Sequence, residues 1–278
     1  MAGSYDIEGA GGVRLNVCEY GDPEGPPILF LHGFAQSRWC WSRQVVDPLL
    51  LEYKLVTFAH RGHGRSDKPI EADAYNDGVN WAGDVAAIID QAGLTGCVIV
   101  AWSYSGLIIC DYLRAYGDET LKGINFVASR TLVGNEKARR MSGTLFLELV
   151  PGFCSHDAVE REAAVRRFLQ NLTTRPISEP DFYMMMGYNL TVPPKVCAAM
   201  LDRSVDNDDV LSGISVPMLF SHGDADTSVL LAMAEHNTAQ ISGSTLSIYE
   251  NVGHAPFYED AERYNSELAK FAAKCHGI

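Results

Sequence analysis

The chain has 278 residues, 47% of them hydrophobic, and a formal net charge of −13 at pH 7. This length and composition fit one large or two small globular domains with a buried core. The negative charge argues against a nucleic-acid partner, because binding to a phosphate backbone needs a basic face. No apolar run reaches the length of a membrane helix, so no membrane association is expected.

The start of the chain lacks the basic and apolar segments of a secretion signal. The seven cysteines are dispersed and form no C-x-x-C pair. Together these features predict reduced thiols and a cytoplasmic location. The sequence indicates no particular oligomeric state.

Strand and helix patterns alternate along most of the chain. The predicted strands are a hairpin over 4–20 and apolar runs at 26–31, 54–58, 97–102, 123–129, 216–222 and 245–250. The predicted helices are 39–51, 79–92, 104–116, 228–240 and 260–274. This alternation predicts an α/β fold with a mostly parallel sheet of about eight strands, flanked by helices.

Residues 131–212 interrupt the alternation, since they contain no convincing strand. Helices are predicted there at 156–171 and, after a Pro-Pro pair, at 195–201. An insertion of about 80 residues is too long for a loop. We therefore expect a core of residues 1–130 and 213–278. Residues 131–212 would form a helical cap, inserted before the last two strands and lying over the C-terminal edge of the sheet.

Ser103 stands where the apolar run at 97–102 ends and the next helix begins. On so tight a turn, a serine hydroxyl projects from the sheet edge with a helix N-terminus behind it. A turn of this kind is called a nucleophile elbow, and its usual pattern is G-x-S-x-G. In this chain, Ala101 and Ser105 replace the two glycines. Both replacements are small, so the tight crossing of strand and helix is expected to form.

A serine hydroxyl becomes a good nucleophile only when a base takes its proton, and an acid must hold that base in one tautomer. Asp226 and His254 each follow one of the last two predicted strands. Both are therefore expected at the same sheet edge as Ser103. Asp224 is an alternative acid, but capping of its own turn explains it better.

The charge that develops on a substrate carbonyl needs main-chain N–H donors. The N–H of Tyr104, directly after the serine, is one candidate. The second is the N–H of Phe34 in the loop after the strand at 26–31. Gly33 beside it would allow that loop to approach the substrate closely.

Four further side chains are candidates for contact with substrate. Trp102 flanks the serine, and Phe182, Met185 and Tyr188 lie in a segment of the expected cap that is rich in aromatic residues and methionine. Methionine adapts to irregular ligands, but packing of the cap against the sheet explains the three cap residues equally well. For Trp102, an orientation under the turn at Ser103 is equally expected.

No metal site and no cofactor are expected. His32, His60 and His63 have no carboxylate or thiol at the spacing of metal ligands. The expected partner is a small-molecule ester or lactone substrate.

Five segments together resemble the α/β-hydrolase superfamily over the whole chain. They are HGF at 32–34, RGHGRSD at 61–67, WSYSG at 102–106, GDAD at 223–226 and GHAP at 253–256. The resemblance implies that Ser103 is the nucleophile, His254 the base and Asp226 the residue that orients the base, under a helical cap. It is greatest to small bacterial esterases, lactonases and cofactor-free haloperoxidases.

One departure stands out, because His60 occupies a position where the family usually has Asp. The serine at the elbow argues against haloalkane dehalogenases and epoxide hydrolases, which use Asp there. The expected function is hydrolysis of a small or medium carboxylic ester through an acyl-enzyme on Ser103. Alternatives are a lactonase, for example on acyl-homoserine lactones, a perhydrolase side activity, and a hydrolase-derived ligand-binding protein with incidental turnover.

Overall fold

The structure is a computed structural model that describes residues 3–278. Its strands are β1 (Ser4–Glu8), β2 (Arg14–Gly21), β3 (Pro27–Leu31), β4 (Lys54–Phe58), β5 (Cys97–Trp102), β6 (Leu121–Val127), β7 (Leu132–Val133), β8 (Val205–Asp206), β9 (Met218–Gly223) and β10 (Thr245–Tyr249). One eight-stranded sheet has the order β1-β2-β4-β3-β5-β6-β9-β10. The pairs β1–β2 and β2–β4 are antiparallel and the others parallel, which confirms the predicted mostly parallel sheet.

The helices alternate with the strands as the α/β pattern predicts. They are α1 (Asp73–Asn76), α2 (Gly78–Gln91), α3 (Ser105–Tyr116), α4 (Glu136–Arg140), α5 (Thr144–Phe153), α6 (Ala158–Gln170), α7 (Glu179–Leu190), α8 (Pro194–Leu201), α9 (Asp208–Ser212), α10 (Leu231–Gln240), α11 (Pro256–Glu259) and α12 (Ala261–His276). Within the described residues, no helix combines the length and the apolar character that a bilayer crossing needs.

The central strand β5 explains why the sheet forms the core. All six of its residues are buried, since helices cover both faces of a parallel sheet. Local sequence signals determine where the neighbouring helices begin and end. The side chain of Asp77 accepts the N–H of Val79 at 3.0 Å and begins α2. Gly117, with a φ of +72°, ends α3.

The predicted helix at 39–51 is wrong. The structure has a short 3₁₀ helix, Arg38–Trp41, followed by separate turns as far as Leu51. Pro48 gives the reason, because its ring has no N–H to donate and disfavours the helical conformation of the residue before it. The apolar periodicity here reflects residues that face the core from consecutive turns.

Residues 131–212, called the cap segment below, contain α4 to α9 between β6 and β9 of the main sheet. The expectation that this segment has no strand needs correction. Leu132 and Val133 pair antiparallel with Asp206 and Val205, and these pairs form β7 and β8. Two-residue strands are too short to show a periodic pattern in the sequence. The pair joins the beginning of the cap segment to a point near its end.

Candidate active site

Ser103 lies in a strained turn between β5 and α3. Its φ is +57°, a left-handed conformation that costs a non-glycine residue roughly 1–2 kcal/mol. Two main-chain hydrogen bonds hold it there. The N–H of Ser103 donates to the carbonyl of Val127 at 3.0 Å, and the carbonyl of Ser103 accepts from the N–H of Arg130 at 2.9 Å. Such strain persists only where the surroundings fix it, and it is typical of functional sites.

Strained backbone is concentrated at this edge of the sheet. Within residues 3–278, the other non-glycine residues with positive φ follow β3, β6 and β10, and they are Ala35, Ala128 and Asn251. A Cβ added to Gly106 would lie 2.5 Å from the carbonyl oxygen of Arg130. A Cβ on Gly33 would lie 3.0 Å from the Cβ of Ser103. A glycine at residue 33 therefore allows the loop after β3 to approach the serine without a tight contact.

The structure brings Ser103, His254 and Asp226 together, although 151 residues of chain separate the serine from the histidine. The Oγ of Ser103 lies 2.9 Å from Nε2 of His254. The Nδ1 of His254 lies 2.7 Å from Oδ2 of Asp226. Because Asp226 accepts, Nδ1 carries the proton and Nε2 is free to accept the proton of the serine hydroxyl.

The Asp226 carboxylate is buried and fully engaged. Its Oδ1 accepts the main-chain N–H groups of Ser228 at 2.7 Å and Val229 at 3.0 Å. Burial alone would raise the pKa of Asp226, but His254 and then His222 hold that pKa well below its usual range. The Nε2 of His222 lies 3.3 Å from Oδ2 of Asp226. His222 lies four residues before Asp226 in the chain, and no pattern in the sequence predicted it as part of this site.

The two main-chain donors predicted from the sequence also lie at the site. Phe34 and Tyr104 line the same cavity as Ser103 and His254. In the described part of the chain, the N–H groups of Phe34 and Tyr104 have no protein acceptor. Buried N–H groups are almost always paired, so these two donors are available to a ligand oxygen.

The cavity beside Ser103 and His254 has a volume of about 220 Å³. Much of its apolar wall comes from the cap segment, namely Phe146, Leu147, Val150 and Phe168. Trp102 also lines it, and its indole N–H donates to the carbonyl oxygen of His254 at 2.9 Å. Trp102 therefore holds the main chain of His254 in place and also borders the cavity.

The structure does not bring Phe182, Met185 or Tyr188 to this cavity. All three lie on α7, which packs against α6. The helices of the cap segment that line the cavity are α4, α5, α6 and α8 instead. Met185 and Tyr188 are buried, and Phe182 borders a separate shallow depression beside Thr173. The face that a helix turns toward the sheet depends on its neighbours, which the sequence pattern does not specify.

Sequence reasoning also missed the polar part of the lining. Arg130, Arg139 and Ser142 line the cavity together with Asn135. The available signal was the position of Arg130, three residues after the end of β6. Groups at the C-terminal ends of neighbouring parallel strands meet at one sheet edge.

Residues 26–261 match a family model described as alpha/beta hydrolase fold. The chain belongs to the α/β-hydrolase family. An esterase from Rhodococcus sp. ECU1013 is 35% identical, covers 97% of this chain and 98% of its own, and superposes with a TM-score of 0.91. A non-heme chloroperoxidase from Streptomyces lividans is 26% identical over 94% of this chain and 96% of its own length. A bifunctional esterase/perhydrolase from Acinetobacter calcoaceticus is 25% identical over the same shares.

Two departures of this α/β-hydrolase from its family pattern contact each other. The Nε2 of His60 lies 3.0 Å from Oγ of Ser105 and 2.9 Å from the carbonyl oxygen of His32. The hydroxyl of Ser105 donates to the same carbonyl. His32 immediately precedes Gly33 and Phe34. The buried pair therefore fixes the start of the loop that presents the N–H of Phe34.

Two buried histidines at this edge, His60 and His63, are expected to make the stability of the α/β-hydrolase depend on pH. Burial lowers the pKa of His60 to about 3 and that of His63 to about 4, from 6.5. The unfolded chain therefore binds protons below about pH 6.5 that the folded chain does not bind. We expect the free energy of unfolding to fall between about pH 6.5 and pH 4. At pH 5 each histidine should account for about 2 kcal/mol, measured by denaturant unfolding.

The variant His63→Asn tests this expectation, because its amide can still donate to the carbonyl of Arg61, which lies 2.8 Å from Nδ1 of His63. Between pH 7 and pH 5 it should lose about 2 kcal/mol less stability than the parent. His156 is exposed and provides the matched control, His156→Asn. Equal slopes for all three proteins would contradict a neutral buried His63.

Proposed function

We propose that this α/β-hydrolase cleaves a small or medium carboxylic ester through an acyl-enzyme on Ser103. The observation that carries the proposal is the chain of contacts from Oγ of Ser103 through His254 to Asp226, at 2.9 and 2.7 Å. A hydroxyl in such a chain can lose its proton as it attacks a carbonyl carbon. The Rhodococcus esterase, 35% identical over nearly the whole chain, supports the same reaction class.

In the first half-reaction, Oγ of Ser103 forms a bond to the ester carbonyl carbon and its proton passes to Nε2 of His254. Asp226 stabilises the imidazolium through Nδ1. The N–H groups of Phe34 and Tyr104 donate to the carbonyl oxygen as it becomes negative. His254 then returns the proton to the alkoxy oxygen, the C–O bond breaks, and the alcohol leaves.

In the second half-reaction, water attacks the acyl group on Ser103 and gives its proton to His254. The tetrahedral intermediate collapses, Oγ regains a proton, and the carboxylic acid leaves. The same acyl-enzyme would yield a peracid if hydrogen peroxide replaced water. The names of the Streptomyces and Acinetobacter relatives favour this as a second reaction.

We further propose that residues 131–212 act as a cap on a core formed by residues 1–130 and 213–278. The contribution of Phe146, Leu147, Val150 and Phe168 to the cavity wall supports this role. In this proposal, the core supplies the reacting groups and the cap determines which acyl chains fit into the cavity.

A fluorophosphonate probe and 4-nitrophenyl butanoate test the proposal together. The probe should react with Ser103 alone and abolish ester turnover in proportion to labelling. Tandem mass spectrometry locates the adduct, and Ser105 is an internal control because it lies two residues away but is fully buried. Turnover without labelling of Ser103 would contradict the acyl-enzyme.

Parallel assays separate the alternatives. A γ-lactone cleaved faster than the linear ester would indicate a lactonase with the same reacting groups. Peracid release with hydrogen peroxide would establish the second reaction. Absence of both labelling and turnover would favour a ligand-binding protein.

A further inference from the structure

Arg130 occupies an unusual position beside the reacting groups. Its main-chain N–H donates to the carbonyl of Ser103 at 2.9 Å, and its side chain lines the same cavity as Ser103 and His254. The residue is only 7% exposed. Burial lowers the pKa of Arg130 to about 10, so the guanidinium is still charged at neutral pH. A full positive charge is therefore held inside the candidate site.

The three buried arginines of the described chain differ in how they are neutralised. Arg61 forms a salt bridge with Asp84 at 2.7 Å, and Arg203 forms one with Asp111 at 2.7 Å. Arg130 forms no salt bridge with any residue of 3–278. A buried cation without a counter-ion is costly, so the absence of one at Arg130 alone calls for an explanation.

The hydrogen bonds of Arg130 leave most of its donors free. One Nη1–H donates to the hydroxyl of Ser142 at 2.5 Å, and one Nη2–H donates to the carbonyl of Ser228 at 3.2 Å. Both acceptors are neutral, and a guanidinium has five N–H groups. Asp226 attracts Arg130 through space. The carboxylate oxygens of Asp226, however, already contact His254, His222 and two main-chain N–H groups.

The rest of the lining has the same charge preference. Arg139 also borders the cavity, and no Asp or Glu does. This contrasts with a chain whose net charge is −13. The charged side chains that line the cavity are therefore positive in an acidic protein, which favours an anionic ligand over a cationic one.

We propose that Arg130 binds a carboxylate of the substrate, so that the preferred substrates are small esters or lactones that carry a free carboxylate. This inference rests on the proposed hydrolytic function and specifies its substrate class. A guanidinium matches a carboxylate with paired N–H donors and supplies the counter-charge that Arg130 lacks. A cavity of about 220 Å³ can hold compact molecules, such as half-esters of short dicarboxylic acids.

Two matched substrate pairs test the proposal, one for each side of the ester bond. Mono(4-nitrophenyl) glutarate is compared with 4-nitrophenyl pentanoate, which has a methyl group where the glutarate has its carboxylate. Carboxymethyl butanoate is compared with ethyl butanoate in the same way. In at least one pair, the wild-type protein should hydrolyse the anionic member with the higher kcat/KM. The pair that responds identifies the side on which the carboxylate lies.

The variant Arg130→Gln removes the charge and keeps a polar side chain with amide donors. It should lower kcat/KM for the anionic ester by about 10- to 150-fold more than for its neutral match. Arg140→Gln is the control, because Arg140 is exposed, pairs with Glu136 and does not line the cavity. An equal loss on both members of each pair would overturn the proposal.

A binding measurement keeps the inference independent of turnover and of the folding of Arg130→Gln. Monomethyl glutarate should bind the Ser103→Ala protein at least about tenfold more tightly than methyl pentanoate, its neutral match, measured by calorimetry. If wild-type protein cleaves neutral esters but monomethyl glutarate binds no better than methyl pentanoate, the carboxylate site is refuted and the hydrolase function stands. If no ester is cleaved but monomethyl glutarate binds preferentially, the hydrolase function fails and the carboxylate site stands.

Discussion

Replacing Ser103 with alanine should reduce kcat/KM for 4-nitrophenyl butanoate by about 10⁴-fold or more. The reason is that His254 and the two free N–H groups would remain without an oxygen nucleophile. The fold should persist, because alanine keeps the Cβ that contacts Gly33 and loses only Oγ. Steady-state hydrolysis and far-UV circular dichroism measure the two effects separately.

Ser103→Gly is the matched variant for this experiment. It also removes Oγ, but glycine adopts the φ of +57° without steric cost. The activity of Ser103→Gly should therefore equal that of Ser103→Ala. Its free energy of unfolding should be no lower than that of Ser103→Ala. Residual turnover within about tenfold of wild type in either variant would show that Ser103 is not the nucleophile.

The Asp226→Asn variant should lose about 10⁴-fold in kcat. A neutral amide cannot stabilise the imidazolium on His254, and it no longer selects the tautomer with the proton on Nδ1. The amide oxygen can still accept the N–H groups of Ser228 and Val229, so the turn after β9 should keep its shape. Measuring kcat over a range of pH identifies the effect as one on the base, since KM for a neutral ester should change little.

Asp224→Asn is the control for Asp226. The Oδ1 of Asp224 accepts the N–H of Asn251 at 2.7 Å and has no contact with His254. An asparagine oxygen can make the same hydrogen bond, so activity should stay within about twofold of wild type. If Asp224→Asn lost more activity than Asp226→Asn, the acid assignment would have to be exchanged.

Several features could be predicted because their cause is local. The strand β5 and its neighbours are continuous apolar runs, which a sheet covered on both faces requires. The sequence placed Ser103, Asp226 and His254 after separate strands, and parallel topology makes such positions converge. For this reason their proximity followed from strand order alone.

Other features depend on tertiary packing and have no local signal. The contact of His60 with Ser105 joins residues 45 positions apart, each of which only looks like a departure from the family pattern. The choice of α5 over α7 as a cavity wall depends on which helix lies nearer the sheet. The missing counter-ion of Arg130 becomes visible only when the partners of the other buried arginines are known.

The two short strands β7 and β8 place both ends of the cap segment side by side. Strand partners in an antiparallel pair have Cα atoms about 5 Å apart. Because this narrow neck joins the two ends of the cap segment, we expect that the segment can be replaced by another without moving β6 or β9. A chimaera with a foreign cap would then inherit a new apolar wall. It would retain Arg130, which lies just outside that neck on the sheet side, and with it the charge that selects the substrate.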